Sequence, residues 1–290
     1  MGELHALLVE PFVEYGFMRR ALLGALLLAL SACPVGVFLM LRRMSLTGDA
    51  MAHAILPGAA VAFLLYGLEI VPMTLGGLAA GLVVALGAGA LSRLTVQRED
   101  AAMAALYLLS LAAGVMLVSL RGSSVDLMHV LFGSVLALND EALVLIALAC
   151  GTSLLALGLL WRALVAECLD PLFLRSVSGL GTPAHFAFLA LVVLNLVAGF
   201  QALGTLLSVG LMMLPAAAAR FWAGRVVPMC ALAVMIGAVS SIAGLLASYH
   251  AELPSGPAII LAAGLIYLAS AFLAPRGLLA RAPRTRHRIA

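Results

Sequence analysis

The chain contains no lysine; all sixteen of its basic residues are arginine. A Walker A loop needs a lysine on the nucleotide phosphates, so this chain by itself is not a P-loop ATPase. Imine chemistry, which needs a lysine amine, is excluded on the same ground. Charge of either sign is scarce: charged residues make up 10% of the chain against 64% hydrophobic, and the mean hydropathy is +1.18. A soluble domain is nearer half apolar and about a quarter charged. The composition therefore specifies a polytopic membrane protein with no room for a separate soluble domain, one transmembrane unit over residues 1–290. Aromatic residues are few at 6%. The four cysteines (Cys33, Cys150, Cys168 and Cys230) show no CxxC spacing, so neither a zinc cluster nor a disulfide framework follows from them. The first fifteen residues hold three acids and no arginine, which leaves no cationic region for a cleavable signal.

Long apolar segments are what the chain has in abundance, and the alternation of a lipid-facing barrel is absent. A helix needs about 20 apolar residues to cross a bilayer. Nine segments qualify: Ala21–Leu41, Ala50–Gly67, Ile70–Leu91, Ala101–Leu120, Ala142–Trp161, Ala184–Ala202, Leu203–Ala219, Val226–Ala247 and Pro257–Ala274. The fold class is thus all-α, a bundle of about nine transmembrane helices. The sixth and seventh spans are so tightly joined that short or interrupted helices are expected there. Gly77, Gly81, Ala85 and Gly89 form a ladder of small residues that supports a close helix contact, within the chain or across a dimer seam. No repeat with a period of 20–50 residues is evident.

Arginine distribution orients the bundle, because positive charge prefers the cytoplasmic side. With the C-terminus and its basic tail (275–290) inside, thirteen arginines fall inside and three (Arg19, Arg20 and Arg121) outside. The N-terminus is then periplasmic, and Arg19 and Arg20 are discordant. Acids gather outside, as a cation-attracting mouth or as ordinary solvated loop charges. The longest internal connection is Arg162–Pro183. Within its central part, about 163–183, Asp170-Pro171 starts a short amphipathic helix and Gly179 ends it, a shape suited to an ATPase partner or to a plain surface turn. The outer stretch 125–138 is apolar but too short to span.

One local constellation carries chemistry. Asp49 and His53, in the motif SLTGDAMAHAILPG, are four residues apart at the start of an apolar span, hence on one helical face. Ionisable groups inside a span usually face a cavity or a partner. One carboxylate and one imidazole suit Zn²⁺, Mn²⁺ or Fe²⁺ and lack the thiolates that favour Cu(I). Two ligands are too few for a structural zinc site; two copies of the chain would supply four. Pro57 and Gly58 follow, and Pro57 removes the bond to the His53 carbonyl, so a helix break lining a cavity is expected there. The plainer alternatives are an N-cap role for Asp49 and a hydrogen-bonded core position for His53. Asp126 and His129 form a weaker outer-mouth pair, and His250 with Glu252 a weaker one still. His5, His185 and His287 read as exposed bystanders. Met212 and Met213 line the pathway or fill the core. No catalytic constellation emerges, so no enzyme activity and no permanently bound cofactor is expected.

GDAMAHAILPG at 48–58 resembles a motif of the ABC-3 family of manganese, zinc and iron permeases. So, in order, do VDLMHVLFGSVLAL at 125–138, ALGTLLSVGLMMLPAAAAR at 202–220 and LPSGPAIIL at 253–261. The likeness runs from about residue 11 to 274. It implies a type II ABC importer permease, related in fold to cobalamin and siderophore permeases. It also implies a multi-pass inner-membrane homodimer that works with two cytoplasmic ATPase subunits and an extracytoplasmic metal-binding protein. Asp49 and His53 match that family's intramembrane pair, and Asp170 to Gly179 match its ATPase-docking segment. In that segment Leu172, Phe173 and Leu174, next to Arg175, are bulky where the family often has a small residue. The sequence also admits two rivals: a permease for a metal chelate of the siderophore type, and an ATP-independent secondary transporter.

Overall fold

The computed structural model describes residues 9–67, 69–120, 138–169, 179 and 181–279. Asp126, His129, the segment from Asp170 to Arg175, His5 and His287 lie outside them. A single-turn helix α1 (Glu10–Glu14) precedes α2 (Gly16–Leu41), α3 (Thr47–Tyr66), α4 (Ile70–Leu94), α5 (Glu99–Leu120) and α6 (Asp140–Leu169). The chain continues with α7 (Gly181–Leu203), α8 (Thr205–Trp222), α9 (Val226–Ala251) and α10 (Ser255–Leu273). Among the described residues, the nine helices from α2 to α10 are long and apolar enough to cross a membrane. They correspond one for one to the nine expected spans.

The helix ends follow from local chemistry. At the end of α2, the Met44 amide donates to the Leu39 carbonyl (2.9 Å) and the Arg43 amide to the Met40 carbonyl (3.1 Å). This is the paired 6→1 and 5→2 closure of a Schellman motif, which puts one residue in the left-handed region. Here that residue is Arg43, with φ 61°, rather than glycine. Between α7 and α8 a single residue, Gly204 at φ 93°, turns the chain. The sixth and seventh spans are therefore not interrupted: they are continuous helices of 23 and 18 residues, and the seventh is the short one of the pair. Glycine's tolerance of positive φ removes the need for a longer connection.

α2 and α7 form the centre of the bundle, with 72% of each span buried, against 17% for α5. α3, α4 and α5 pack together on one side and α8, α9 and α10 on the other. α2 packs mainly on α8 and α9, α7 packs on α4, and α6 lies across both. Each central helix thus crosses into the opposite group. α3 begins at Thr47 and carries proline at 57; α8 begins at Thr205 and carries proline at 215, the same distance along. Helices α2–α5 and α7–α10 are thus two groups of four joined by α6.

Small residues set the closest approaches. A Cβ on Gly58 would overlap the Gly76 carbonyl oxygen, and one on Gly36 the Met212 carbonyl oxygen. α3 therefore lies backbone against backbone on α4, as α2 does on α8. The ladder on α4 is spent inside the chain: Gly77 and Gly81 meet Ile55 of α3, Gly81 also meets Val193, and Gly89 meets Phe186 and Leu189 of α7. It is not left for a dimer seam.

The two ends of the bundle differ in charge as expected. Arg20, one of the discordant arginines, lies 3.3 Å from Asp140, so a carboxylate offsets it at the acid-rich end. At the other end, Arg276 donates to the Ala223 carbonyl (2.7 Å) and closes the final turn onto the α8–α9 connection. α6 runs eight residues past Trp161, where its span was expected to stop. In that extension Glu167 is buried against Arg42.

Candidate functional site

Asp49 stands in the first turn of α3, and His53 one turn on. The N-cap of this helix is Leu46, with no side-chain capping bond, so the N-cap role for Asp49 is not observed. Its carboxylate still suits the positive end of the helix dipole. Asp49 Oδ1 and His53 Nε2 are 4.0 Å apart, and their side chains are 69% and 41% exposed in the single chain. Among the described residues His53 makes no hydrogen bond; its ring faces Tyr107 of α5 at 6.5 Å between centroids. The core-histidine alternative fails with it. Two ligands about 2.1 Å from a tetrahedral ion would be about 3.4 Å apart. A small side-chain rotation brings this pair to that spacing.

No group of three or more His, Cys, Asp or Glu stands in metal-holding geometry among the described residues. An ion at this pair would find one carboxylate oxygen and one imidazole nitrogen from a single chain, and its remaining positions would fall to water or another chain. Beside the pair, Met212 is fully buried, and the Met213 sulfur lies 3.8 Å from where a Cβ on Gly48 would stand. His250 and Glu252 sit exposed at the acid-rich end, far along the chain from the pair, with His250 against Tyr249. Gly179 is exposed in a turn just before α7.

Pro57 does not break α3, which runs without interruption from Thr47 to Tyr66. The ring is accommodated because Gly114 of α5 offers no side chain there; a Cβ on Gly114 would come within 2.7 Å of Pro57. Ser110 donates to the Ala54 carbonyl (3.3 Å) on the same face. Gly58 serves the contact with α4 described above. The two residues shape packing around the pair rather than opening the helix.

The sequence reading missed a second constellation at the arginine-rich end. Arg42 closes α2, Glu99 opens α5, Glu167 is near the end of α6 and His185 is in the second turn of α7. Arg42 Nη2 donates to Glu167 Oε1 (2.9 Å) and to His185 Nδ1. His185 Nε2 stands 2.9 Å from Glu99 Oε1, and its Nδ1 3.6 Å from Glu167. Arginine only donates, so Nδ1 is the acceptor in that contact; His185 Nε2 and Glu99 Oε1 stand close without the geometry of a hydrogen bond. The side chains of Glu167 and His185 are each 4% exposed, so His185 is not the bystander expected of it. Arg42 also lies over the Phe188 ring, 4.9 Å from its centroid. The cluster walls a cavity of about 850 Å³ that Arg43, Arg93 and Arg98 also line. Its members are 125 and 143 residues apart along the hydrogen-bonded pairs, and no spacing rule could have joined them. Removing one partner of such a buried pair costs about 3–5 kcal/mol.

Comparison with known proteins places this architecture. The chain is 32% identical over 268 residues to "Manganese import system permease protein ScaB" of Streptococcus parasanguinis, covering 92% of this chain and 94% of that one. It is 30% identical to "Chelated iron transport system membrane protein YfeC" of Yersinia pestis, covering 97% and 94%. Its fold matches that of PsaBC from Streptococcus pneumoniae, solved in complex with Fab, with a TM-score of 0.81 and 31% identity over 93% of this chain and 96% of that one. The family model described as the ABC 3 transport family matches residues 14–274, and the chain belongs to that family.

Proposed function

We propose that the chain is the membrane subunit of an ATP-driven importer for a divalent transition metal ion, Zn²⁺, Mn²⁺ or Fe²⁺, received from an extracytoplasmic binding protein. The observation that carries this reading is the Asp49–His53 pair: a carboxylate and an imidazole on one helical face, exposed in the single chain and short of ligands. A carboxylate facing lipid is expensive, so the exposed face of α3 belongs on a pathway or against a second copy. A homodimer brings two such pairs to one path, and two half-sites hold an ion more weakly than a closed four-ligand site. Weak holding suits transport, since the ion has to leave. The ScaB and PsaBC likenesses support an importer of this kind.

In this proposal the arginine-rich end is cytoplasmic, in the bacterial inner membrane, with the N-terminus periplasmic. Asp170 to Gly179 dock the cytoplasmic ATPase, and Asp126 with His129 stand at the outer mouth. Asp49, in the first turn after the Arg42–Leu46 turn, then lies in the inner half of the membrane as a way-station or gate. The chain holds no resident cofactor and no catalytic site of its own. Substituted cysteines check the orientation: Arg225→Cys, exposed between α8 and α9, reacts with an impermeant maleimide only in inverted vesicles, and Leu253→Cys only in intact spheroplasts. The reverse pattern overturns the topology.

The likeness to YfeC, a chelated iron transport protein, favours one second reading, a chelate as cargo. Reconstitution with the ATPase and binding protein in proteoliposomes separates the readings. The metal-ion reading expects accumulation of free Mn²⁺ or Zn²⁺ that depends on ATP. Uptake only of chelated ion supports the second reading, and uptake without ATP excludes both.

A further inference from the structure

We infer that Arg42, Glu99, Glu167 and His185 form a clasp that transmits movement of the α6–α7 connection to α3, and hence to Asp49 and His53. The inference rests on the proposed docking of the ATPase at residues 170–179. Glu167 stands near the end of α6 and His185 near the start of α7, so the clasp holds both roots of that connection. Its third member, Arg42, is the last residue before the turn into α3. That turn is stiff: two crossed backbone hydrogen bonds and a left-handed Arg43 set its shape. A displacement of Arg42 is therefore passed on to the start of α3, where Asp49 sits.

Helix capping does not explain Glu167, which lies at the negative end of the α6 dipole, the unfavourable side for a carboxylate. Arg42 on another helix holds it instead. Apolar residues would hold the same ends together at lower desolvation cost, but they would slide without preferred positions. A network of directed pairs has discrete arrangements, which coupling between distant sites requires. The adjoining cavity gives room for a second arrangement, with Arg93 and Arg98 on its wall as alternative partners for the carboxylates.

The test uses the full complex in proteoliposomes, measuring Mn²⁺ and, separately, Zn²⁺ accumulated per phosphate released. The double variant Arg42→Met/Glu167→Leu removes both members of the buried ion pair together, so neither is left without the other. We expect its hydrolysis rate and melting temperature to stay within twofold and within a few degrees of the native complex, while ions imported per ATP fall about tenfold. His185→Leu should lose coupling similarly, and His185→Gln, which can accept from Arg42 and donate to Glu99, should restore most of it. An unchanged ratio in the double variant overturns the inference, and so does a fall in import and hydrolysis in strict proportion. Should the double variant fail to assemble, Glu99→Gln at the more exposed side of the cluster decides by the same ratio. Failure of the docking reading is separate: Phe173→Asp would then leave the ATPase co-purifying with the permease.

Discussion

Asp49→Ala lowers metal accumulation in metal-starved cells by about a hundredfold or more, with the amount of permease in the membrane unchanged. Loss of an outer-shell partner of a metal ligand already costs about 10- to 100-fold, and Asp49 is proposed as a ligand itself. The side chain is 69% exposed and carries no hydrogen bond among the described residues, so its removal leaves packing there intact. His53→Ala behaves alike. Asp49→Asn keeps an oxygen and the shape but loses the charge, and falls between native and alanine. The double variant is no worse than either single one, since two ligands of one site act as a unit. Accumulation measured beside membrane abundance checks this, and normal uptake by the double variant would sink the assignment.

Gly58→Val and Pro57→Ala separate two readings of the same dipeptide. A helix break would make Pro57 indispensable and Gly58 tolerant. The structure reverses that order. A Cβ at 58 falls on the Gly76 carbonyl oxygen, an overlap with backbone that no side-chain rotation relieves. Overpacking costs about 1–3 kcal/mol, more where backbone has to move, so Gly58→Val is expected to lower the melting temperature of the purified permease sharply and abolish import. Pro57→Ala restores an amide in a helix that is already continuous, and only some contact with α5 is lost. It is expected to fold normally and retain import within about threefold, the equivalent of less than 1 kcal/mol. Thermal melting and uptake of both variants check the pair. Normal folding of Gly58→Val together with inactive Pro57→Ala would restore the helix-break reading.

Some of the molecule was legible because the property concerned is local. Nine spans follow from apolar length alone, since the bilayer imposes that length on any helix that crosses it. The Asp49–His53 pair follows from helical spacing, because residues four apart share a face whatever surrounds them. Arginine asymmetry likewise sorted the two ends, and Arg20 proved to sit beside Asp140 at the acidic one.

What only the tertiary structure decided depends on contacts between distant segments. Pro57 looked like a break because the missing hydrogen bond is visible in the sequence, while the glycine on another helix that makes room for the ring is not. The α4 ladder was equally ready for a neighbouring helix or a second copy until α3 and α7 were seen to fill it. His185 looked exposed, and residue 167 fell within the internal connection expected from Arg162 to Pro183. Their burial depends on Arg42 and Glu99, which only the packing of four helix ends brings to the same place. An apolar run and an i,i+4 pair are properties of one segment, whereas a buried charge network is a property of the whole fold.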